Sequence, residues 1–250
     1  MTEFLGIIPA RYASTRFPGK PLAMLGDKPM IQRVYEGVAS LFGQLLVATD
    51  DKRIYDVVQG FGGLVQMTSP EHKSGTERCA EAAALYEQET DRNFKYVVNI
   101  QGDEPLIQPE QLETLMDCIR IPGTEIATLI RPLGDMEELS NPNVVKVVVD
   151  KSLRALYFSR ASIPFVREPA EGSWDKKVQF YTHIGLYAFR REILDKVVKF
   201  PSTALERAES LEQLRWMENG IPIRTALTHL PSIGVDTPED LERILQKGKF

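Results

Sequence analysis

Three basic side chains near the start of the chain suggest a binding site for phosphate groups. Arg11, Arg16 and Lys20 fall within ten residues, and Ser14 lies among them. Guanidinium, ammonium and hydroxyl groups all donate hydrogen bonds to anionic oxygens. Gly19, directly before the lysine, permits the backbone to approach a ligand closely. The stretch therefore predicts a polyphosphate site, with the alternative that these cations are merely solvated, as in most basic surface loops.

The spacing of this basic stretch differs from that of a Walker loop. Such a loop has Ser or Thr directly after its lysine, whereas Pro21 follows Lys20 here. The place of its first glycine is taken by Ser14. We therefore expect another kind of turn to hold the phosphates.

Two carboxylates later in the chain are candidate magnesium ligands. Asp103 lies in Gln101-Gly-Asp-Glu-Pro-Leu106, directly after an apolar run, and Asp236 lies between Val235 and Thr237. Mg²⁺ is held by one or two carboxylates together with substrate oxygens. The alternatives are a turn-forming Gly-Asp pair for Asp103 and a helix-capping carboxylate for Asp236.

The segment Ser74-Gly-Thr-Glu-Arg78 stands at a predicted helix start. Helix N-termini bind anions and polar groups through their free N–H groups, so this turn can contact a nucleotide. Alternatively, Ser74 or Thr76 is only the N-cap, with Glu77 in the first helical turn.

Alternating strand and helix patterns position these candidates. Phe4 to Ile8 is the first buried strand, which Pro9 is expected to end. Further predicted strands are 45–48, 64–67, 96–100 and 125–130. This order predicts an α/β fold, Rossmann-like and doubly wound, with a mostly parallel sheet. Such sheets bind ligands at the carboxyl ends of their strands, where the basic stretch and Asp103 lie.

The organisation changes after residue 143. Residues 144–149 and 153–158 predict a β-hairpin, followed by a mobile loop or arm over 159–177 and a strand over 179–189. His183 and Tyr187 lie on one face of that strand because side chains alternate along it. Both can face a substrate, although a structural role is the alternative for each.

A helix is predicted from Thr203 to Asn219, closed by Gly220. Glu209, Glu212 and Gln213 occupy its middle. Their spacing alone leaves open the alternative of a solvated polar face. A last helix is predicted from Pro238, with Thr237 as its cap.

Composition limits the class of protein. The 250 residues carry 30 basic and 35 acidic side chains, a net charge of −5 that argues against a nucleic-acid polymer as partner. Cys79 and Cys118 have neither metal-ligand spacing nor the number that a disulfide framework needs. With no apolar run of 18 residues and no signal pattern, we expect one cytoplasmic domain over residues 1–250, without membrane association.

Together these motifs resemble, in order, those of the 3-deoxy-D-manno-octulosonate (Kdo) cytidylyltransferases, sugar-activating enzymes. The likeness begins with Ile8-Pro-Ala-Arg-x-x-Ser-x-Arg-x-Pro-x-Lys20-x-Leu22 and continues with Ser74 to Arg78 and Gln101 to Leu106. The later segments are more specific: His183-Ile-Gly-Leu-Tyr187, Glu209 to Gln213 and Val235 to Leu241. The resemblance covers nearly the whole chain, from Ile7 to Leu241.

The resemblance implies a nucleotide-diphospho-sugar transferase fold with an inserted β-rich region, residues 144–187, for substrate binding and dimerisation. The implied reaction joins CTP to an eight-carbon 3-deoxy-ulosonic acid, Kdo or its 8-amino analogue, and releases pyrophosphate, for lipopolysaccharide biosynthesis. The implied cofactor is Mg²⁺ on Asp103 and Asp236, with Lys20 and Arg11 assisting catalysis. The implied nucleotide-binding residues are Arg11, Ser14, Arg16, Lys20, Ser74, Arg78 and Gln101. The implied sugar-binding residues are Arg160, His183, Tyr187, Glu212 and Gln213.

Two rival functions are weighed against this one. The first is a cytidylyltransferase for another substrate, such as a nine-carbon sialic acid or methylerythritol phosphate, against which the His183 and Gln213 segments argue. The second is a nucleotide-binding regulator without turnover, against which the presence of both Asp103 and Asp236 argues.

Overall fold

The computed structural model describes residues 2–14, 16–167 and 178–246. Contacts group the chain into two compact units. The first unit comprises Met1–Glu113, Arg190–Val198 and Pro231–Phe250, and the second comprises Thr114–Phe189 and Lys199–Leu230. The single domain of residues 1–250 and its subregion 144–187 stay predictions.

The regular elements follow the expected alternation of strand and helix. In chain order the described strands are β1 (Thr2–Ala10), β2 (Met24–Leu25), β3 (Lys28–Pro29), β4 (Leu45–Thr49), β5 (Leu64–Met67), β6 (Phe94–Asn99), β7 (Ile126–Pro132), β8 (Lys146–Val149), β9 (Ala155–Ser159), β10 (Tyr181–Arg190) and β11 (Ile223–Leu227). The described α-helices are α1 (Met30–Val38), α2 (Lys52–Gly60), α3 (Gly75–Thr90), α4 (Pro109–Arg120), α5 (Met136–Ser140), α6 (Arg191–Val197), α7 (Ala204–Glu209), α8 (Glu212–Glu218) and α9 (Pro238–Gln246). Short 3-10 turns cover Lys20–Leu22 and Ala39–Leu41.

The first unit is built on a parallel sheet in the order β6-β1-β4-β5. Leu5, Ile7 and Ile8 of β1 are completely buried, as an unbroken apolar strand in the middle of a sheet requires. The chain winds outward from β1 in both directions, so β1 and β6 flank the point where the strand order reverses. Ligands bind at such a point in open α/β sheets.

The expected end of the first strand at Pro9 is wrong, because β1 continues to Ala10. Pro9 lies opposite Ala48 and Ala10 opposite Thr49 in the register with β4. A proline lacks one N–H donor but keeps its carbonyl, so it is tolerated near the end of a strand.

The second unit contains a mixed sheet. Its strand β7 pairs in parallel with β11 and antiparallel with β10, and β10 also pairs antiparallel with β8. The hairpin predicted over 144–149 and 153–158 is confirmed as the antiparallel pair β8 and β9. An α/β fold with a mostly parallel sheet is therefore confirmed, while the dimerisation role of the hairpin region stays a prediction.

The single helix expected from Thr203 to Asn219 is wrong. Ser210 adopts the left-handed conformation, with φ of 52°, and separates α7 from α8. A left-handed residue turns the chain out of a helix, so Glu212 and Gln213 lie in the first turn of α8 instead of the middle of one long helix.

The loop predicted over 159–177 falls only partly within the described chain, since residues 168–177 lie outside it. In its described part, Val166 is buried with Leu139 and Phe180 in a small apolar cluster. Ser162 Oγ donates to the carbonyl oxygen of Leu139 at 2.9 Å, which also ties this part to the unit.

Among the described residues, no helix has both the length and the hydrophobicity to cross a membrane. Cys79 and Cys118 are buried free thiols. Burial raises the pKa of Cys118 to about 11, so this thiol stays protonated and is a poor nucleophile.

Candidate functional site

A cavity of about 250 Å³ opens in the first unit where β1 and β6 end. Its lining includes every residue expected to bind the nucleotide, together with Asp103 and Asp236. These residues are spread from position 11 to position 236 in the sequence. The fold therefore brings together the nucleotide and metal candidates that the sequence predicted.

The basic stretch forms its turn through backbone contacts. Gly19 has φ of 73°, and its N–H donates to the carbonyl oxygen of Tyr12 at 2.9 Å. A Cβ atom at Gly19 would lie 3.1 Å from the Tyr12 ring, and a positive φ is unfavourable for other residues. Ser14 Oγ accepts a hydrogen bond from the N–H of Phe17 at 3.3 Å. This turn directs the start of the Lys20–Leu22 helix into the cavity lining.

The Lys20 ammonium is the centre of the ionic contacts in the cavity. Nζ lies 2.6 Å from Asp103 Oδ2, 3.7 Å from Asp236 Oδ1 and 2.8 Å from the carbonyl oxygen of Val235. Arg16 Nη1 contacts the other carboxylate oxygen of Asp236 at 3.0 Å. Arg11 has no ion pair among the described residues and lines the same cavity, so its guanidinium is available to an anion.

Asp236 reaches this site because apolar packing holds the segment before it. Val235 is fully buried in a cluster with Leu25, Met30 and Ile244. Its N–H donates to the carbonyl oxygen of Asp103 at 2.9 Å, which ties the two aspartate segments together. The expected capping of α9 is performed by Thr237, whose Oγ1 accepts from the N–H of Asp240 at 3.3 Å. The Asp236 carboxylate is thus not the helix cap and faces Arg16 and Lys20.

The donor atoms of this arrangement fit Mg²⁺. Asp103 and Asp236 already share one cation, the Lys20 ammonium. Both carboxylates line a cavity whose basic and hydroxyl side chains can donate hydrogen bonds to phosphate oxygens. No cluster of three or more His, Cys, Asp or Glu side chains suited to a metal occurs in the described ranges. Substrate oxygens would therefore complete the coordination, as is usual for Mg²⁺ at phosphate sites.

The start of α3 forms another wall of the cavity. Ser74 is its N-cap, with Oγ accepting from the N–H of Glu77 at 3.2 Å, so the capping alternative is correct for this residue. Ser74 also lines the cavity, and its hydroxyl proton is not used in that bond. A Cβ atom at Gly75 would lie 3.2 Å from Pro9 Cγ, so glycine permits the close approach of α3 to the end of β1. The positive end of this 16-residue helix favours an anion here.

Arg78 is held in place by an acid that the sequence interpretation missed. Its guanidinium is buried and donates to Asp50 Oδ2 at 2.8 Å and to Thr68 Oγ1 at 2.6 Å. Asp50 directly follows β4, so its place at the carboxyl end of a parallel strand was the signal available in the sequence. His72 and Lys73 also line the cavity and were not predicted.

The sugar candidates His183 and Tyr187 lie in the second unit, where their rings contact each other. Their centroids are 5.3 Å apart, which confirms that they share a face of β10. Four positions of a regular strand span about 13 Å, so straight alternation does not bring two such rings together. The register of β10 against β7 is irregular between Ile184 and Tyr187, and this β-bulge shortens the strand.

The side chains of Tyr187 and His183 are both buried in an uncharged form. The Tyr187 hydroxyl is buried without a hydrogen-bond partner among the described residues. Burial, and next the charge of Glu212, raise the pKa of Tyr187 well above its ordinary value, so the hydroxyl keeps its proton. Burial lowers the pKa of His183 to about 3, so its ring is neutral. Both residues thus offer uncharged polar groups.

Glu212 and Gln213 begin α8 in the same unit. Glu212 Oε1 accepts from Arg215 Nη2 at 3.2 Å, and Gln213 is buried. The Glu209 carboxylate accepts from Ser159 Oγ at 2.6 Å and from the N–H of Arg160 at 2.8 Å. The alternative of a solvated polar face is therefore wrong for Glu209 and Gln213.

Arg160, the remaining sugar candidate, donates three of its five guanidinium N–H groups to backbone carbonyl groups. It donates to the carbonyl oxygens of Glu209 at 2.7 Å, Pro142 at 2.9 Å and Ser210 at 3.4 Å. The bonds to Glu209 and Ser210 join the end of β9 to the turn that precedes α8. Arg160 thereby fixes the backbone that carries Glu212 and Gln213.

Comparisons with known proteins agree on one family. The family model described as cytidylyltransferase matches residues 5–225. A 3-deoxy-manno-octulosonate cytidylyltransferase of Phocaeicola vulgatus is 53% identical over 244 residues, 96% of this chain and 95% of the relative. A relative of the same name from Parabacteroides distasonis is 52% identical over 249 residues, 98% of each chain.

A solved structure shares the fold over nearly the full length. It is CMP:2-keto-3-deoxy-manno-octonic acid synthetase complexed with CTP, with a TM-score of 0.88 and 41% identity over 99% of this chain and 98% of that chain.

Proposed function

Because this chain belongs to the 3-deoxy-manno-octulosonate cytidylyltransferase family and is a nucleotidyltransferase, we propose that it joins CTP to Kdo or its 8-amino analogue. The products are the CMP-sugar and pyrophosphate. The observation that supports this proposal most directly is the cavity in which Lys20 lies against Asp103 and Asp236. We further propose a cytoplasmic role in lipopolysaccharide biosynthesis.

The proposed reaction is a displacement at phosphorus. The 2-hydroxyl oxygen of the ulosonic acid bonds to the α-phosphorus of CTP and releases its proton to water, while the bond from the α-phosphorus to the bridging oxygen of the β-phosphate breaks and pyrophosphate leaves. Arg11, Ser14, Arg16 and Lys20 bind the triphosphate and stabilise the charge that collects on the leaving group. No covalent enzyme intermediate is needed, which agrees with the two buried thiols.

The nucleoside is proposed to lie against Ser74, Arg78 and Gln101. Asp50 holds the Arg78 guanidinium in one orientation, so its remaining donors are fixed before the nucleotide arrives. Mg²⁺ bound by Asp103 and Asp236 would neutralise phosphate charge and lower the pKa of the attacking hydroxyl.

The ulosonic acid is proposed to be bound by Arg160, His183, Tyr187, Glu212 and Gln213. The Tyr187 hydroxyl, which has no partner in the ranges that the structure describes, supports this assignment, because a buried polar group without a partner destabilises the protein unless a ligand satisfies it. We also propose a homodimer formed by the 144–187 region. Leu156, 59% exposed on β9, supports this proposal, and light scattering of the intact protein in solution checks it.

Pyrophosphate release tests the proposed function. The four nucleoside triphosphates are each combined with Kdo, its 8-amino analogue, sialic acid and methylerythritol phosphate, with and without Mg²⁺. We expect release only with CTP, an eight-carbon ulosonic acid and Mg²⁺ together. If neither Kdo nor its 8-amino analogue gives pyrophosphate release, the proposal is contradicted. Release with sialic acid or methylerythritol phosphate alone identifies the rival enzyme, and nucleotide binding without any release identifies a regulator.

Replacing Tyr187 by phenylalanine is expected to raise KM for the ulosonic acid about tenfold, the effect of losing one hydrogen bond to the ligand. The melting temperature is not expected to fall, since the hydroxyl has no partner to lose in the described part of the chain. Steady-state kinetics and thermal unfolding measure the two effects.

Tyr86→Phe is the matched control, because the Tyr86 hydroxyl does have a partner, Gln44. This control is expected to lower the melting temperature and to leave KM unchanged. If Tyr187→Phe behaves like the control, Tyr187 has a structural role only.

A further inference from the structure

Thr128, a residue of β7, makes a contact that determines how His183 presents its ring. Thr128 Oγ1 lies 2.9 Å from His183 Nε2, 2.7 Å from the carbonyl oxygen of Leu186 and 3.2 Å from that of Ile184. Thr128 is completely buried, so its hydroxyl must be satisfied by these groups.

The β-bulge of β10 creates this arrangement. Ile184 lies opposite Leu129, and Tyr187 lies opposite Thr128, so three steps along β10 correspond to one step along β7. The carbonyl groups of Ile184 and Leu186 consequently both reach the hydroxyl of Thr128. In a regular strand the carbonyl groups of residues two apart point to the same side but lie about 6.6 Å apart, too far for both to reach one hydroxyl, so the bulge is required for this contact.

The Thr128 hydroxyl has a single proton, and this determines which atom donates in its hydrogen bond to His183 Nε2. A hydroxyl donates one proton and accepts with its lone pairs, whereas a carbonyl oxygen only accepts. If Thr128 donated to Nε2, both carbonyl oxygens would face hydroxyl lone pairs in a buried site, which is unfavourable. Thr128 therefore donates to Leu186, the nearer carbonyl, and His183 Nε2–H donates to Thr128.

We propose that Thr128 is a positioning residue that holds His183 as the Nε2–H tautomer, so that Nδ1 accepts a hydrogen bond from a hydroxyl group of the sugar substrate. This inference rests on the proposed function. Burial keeps the ring neutral at pH 7, with a pKa of about 3, so the ring does not attract the substrate carboxylate as a cation. The Phe158 and Tyr187 rings, at centroid distances of 5.0 Å and 5.3 Å, keep it in this orientation. The site thus selects hydroxyl donors.

The tautomer is measured directly by long-range ¹H–¹⁵N correlation spectra of the labelled full-length enzyme without substrate. The chain has three histidines, so the signals lost in His183→Gln identify this ring. We expect a protonated Nε2 and an unprotonated Nδ1. An Nδ1–H tautomer or an imidazolium overturns the proposal. This result does not depend on turnover, so it separates failure of this inference from failure of the proposed function.

Kinetics of two Thr128 variants test the consequence for the substrate. Thr128→Val removes the hydroxyl at similar volume, and we expect loss of the single tautomer and a rise in KM for the ulosonic acid of about tenfold, with KM for CTP unchanged. Thr128→Ser keeps the hydroxyl and is expected to retain the wild-type tautomer and KM.

Thr225→Val is the matched control. Thr225 lies opposite Thr128 in the register of β11 and β7, is buried, and donates from Oγ1 to the carbonyl oxygen of Leu153 at 2.9 Å. Thr225→Val is expected to lower the free energy of unfolding without changing KM for the ulosonic acid or the tautomer of His183. An equal rise in KM for both valine variants overturns the proposal, as does a Thr128→Val enzyme with wild-type tautomer and KM. If Thr128→Val fails to fold, the tautomer of His183 in the wild-type spectrum decides whether the proposal holds.

Discussion

Replacing Lys20 by methionine is expected to lower kcat/KM for CTP by about 100- to 1000-fold, the usual effect of removing one preorganised group that stabilises transition-state charge. Methionine keeps most of the aliphatic stem but removes the ammonium, which lies 2.6 Å from Asp103 and 3.7 Å from Asp236. Two carboxylates then remain without the cation they share. The leaving pyrophosphate also loses a compensating charge. Single-turnover and steady-state pyrophosphate release measure the effect.

Lys28→Met is the control for Lys20→Met. Lys28 Nζ forms a carboxylate contact of the same length, 2.6 Å to Glu36 Oε2, but Lys28 does not line the cavity. The control therefore removes an equivalent ion pair and is expected to leave turnover unchanged. Equal activity in the two variants would mean that Lys20 only forms a salt bridge. Thermal unfolding of both variants distinguishes loss of catalysis from loss of structure.

Asp103→Asn is expected to abolish magnesium-dependent turnover, a decrease of about 1000-fold or more, because the variant lacks one of the two carboxylates proposed to hold the metal. The fold is expected to survive. The Asp103 carbonyl oxygen accepts from the N–H of Val235, and asparagine keeps that backbone bond. Titration of activity with Mg²⁺ and thermal unfolding are the measurements.

Asp56→Asn supplies the comparison for Asp103→Asn. Asp56 lies on α2 and pairs with Lys52 on the surface of the same unit. The Asp56→Asn variant is therefore expected to match the wild-type protein in both measurements. Near-normal magnesium-dependent turnover in Asp103→Asn would show that Asp103 is a turn residue and that the metal assignment is wrong.

The sequence predicted the family correctly, and the residues that it nominated for the nucleotide line one cavity. Family membership is confirmed by relatives about half identical over almost the whole chain. The cavity was predictable because parallel strands end at one edge of a sheet, so the residues that follow β1 and β6 must meet there.

The sequence did not determine which of two roles a carboxylate or hydroxyl takes. Asp236 and Thr237 are both suitable caps for α9, and only the packing of Val235 in its cluster directs Asp236 to Lys20 while Thr237 caps. Ser74 both caps α3 and lines the cavity. Such choices depend on contacts between distant segments, which local spacing does not specify.

The sequence by itself determined the α/β class, the family and the residues that can do chemistry, because local periodicity fixes element type and short motifs fix donor groups. Only the tertiary structure decided that Ser210 divides the expected helix, that Asp50 holds Arg78 and that a bulge brings His183 against Thr128 and Tyr187. A left-handed residue or a β-bulge is selected by the sum of packing and hydrogen bonding around it. These long-range interactions outweigh the local preference of the residues concerned.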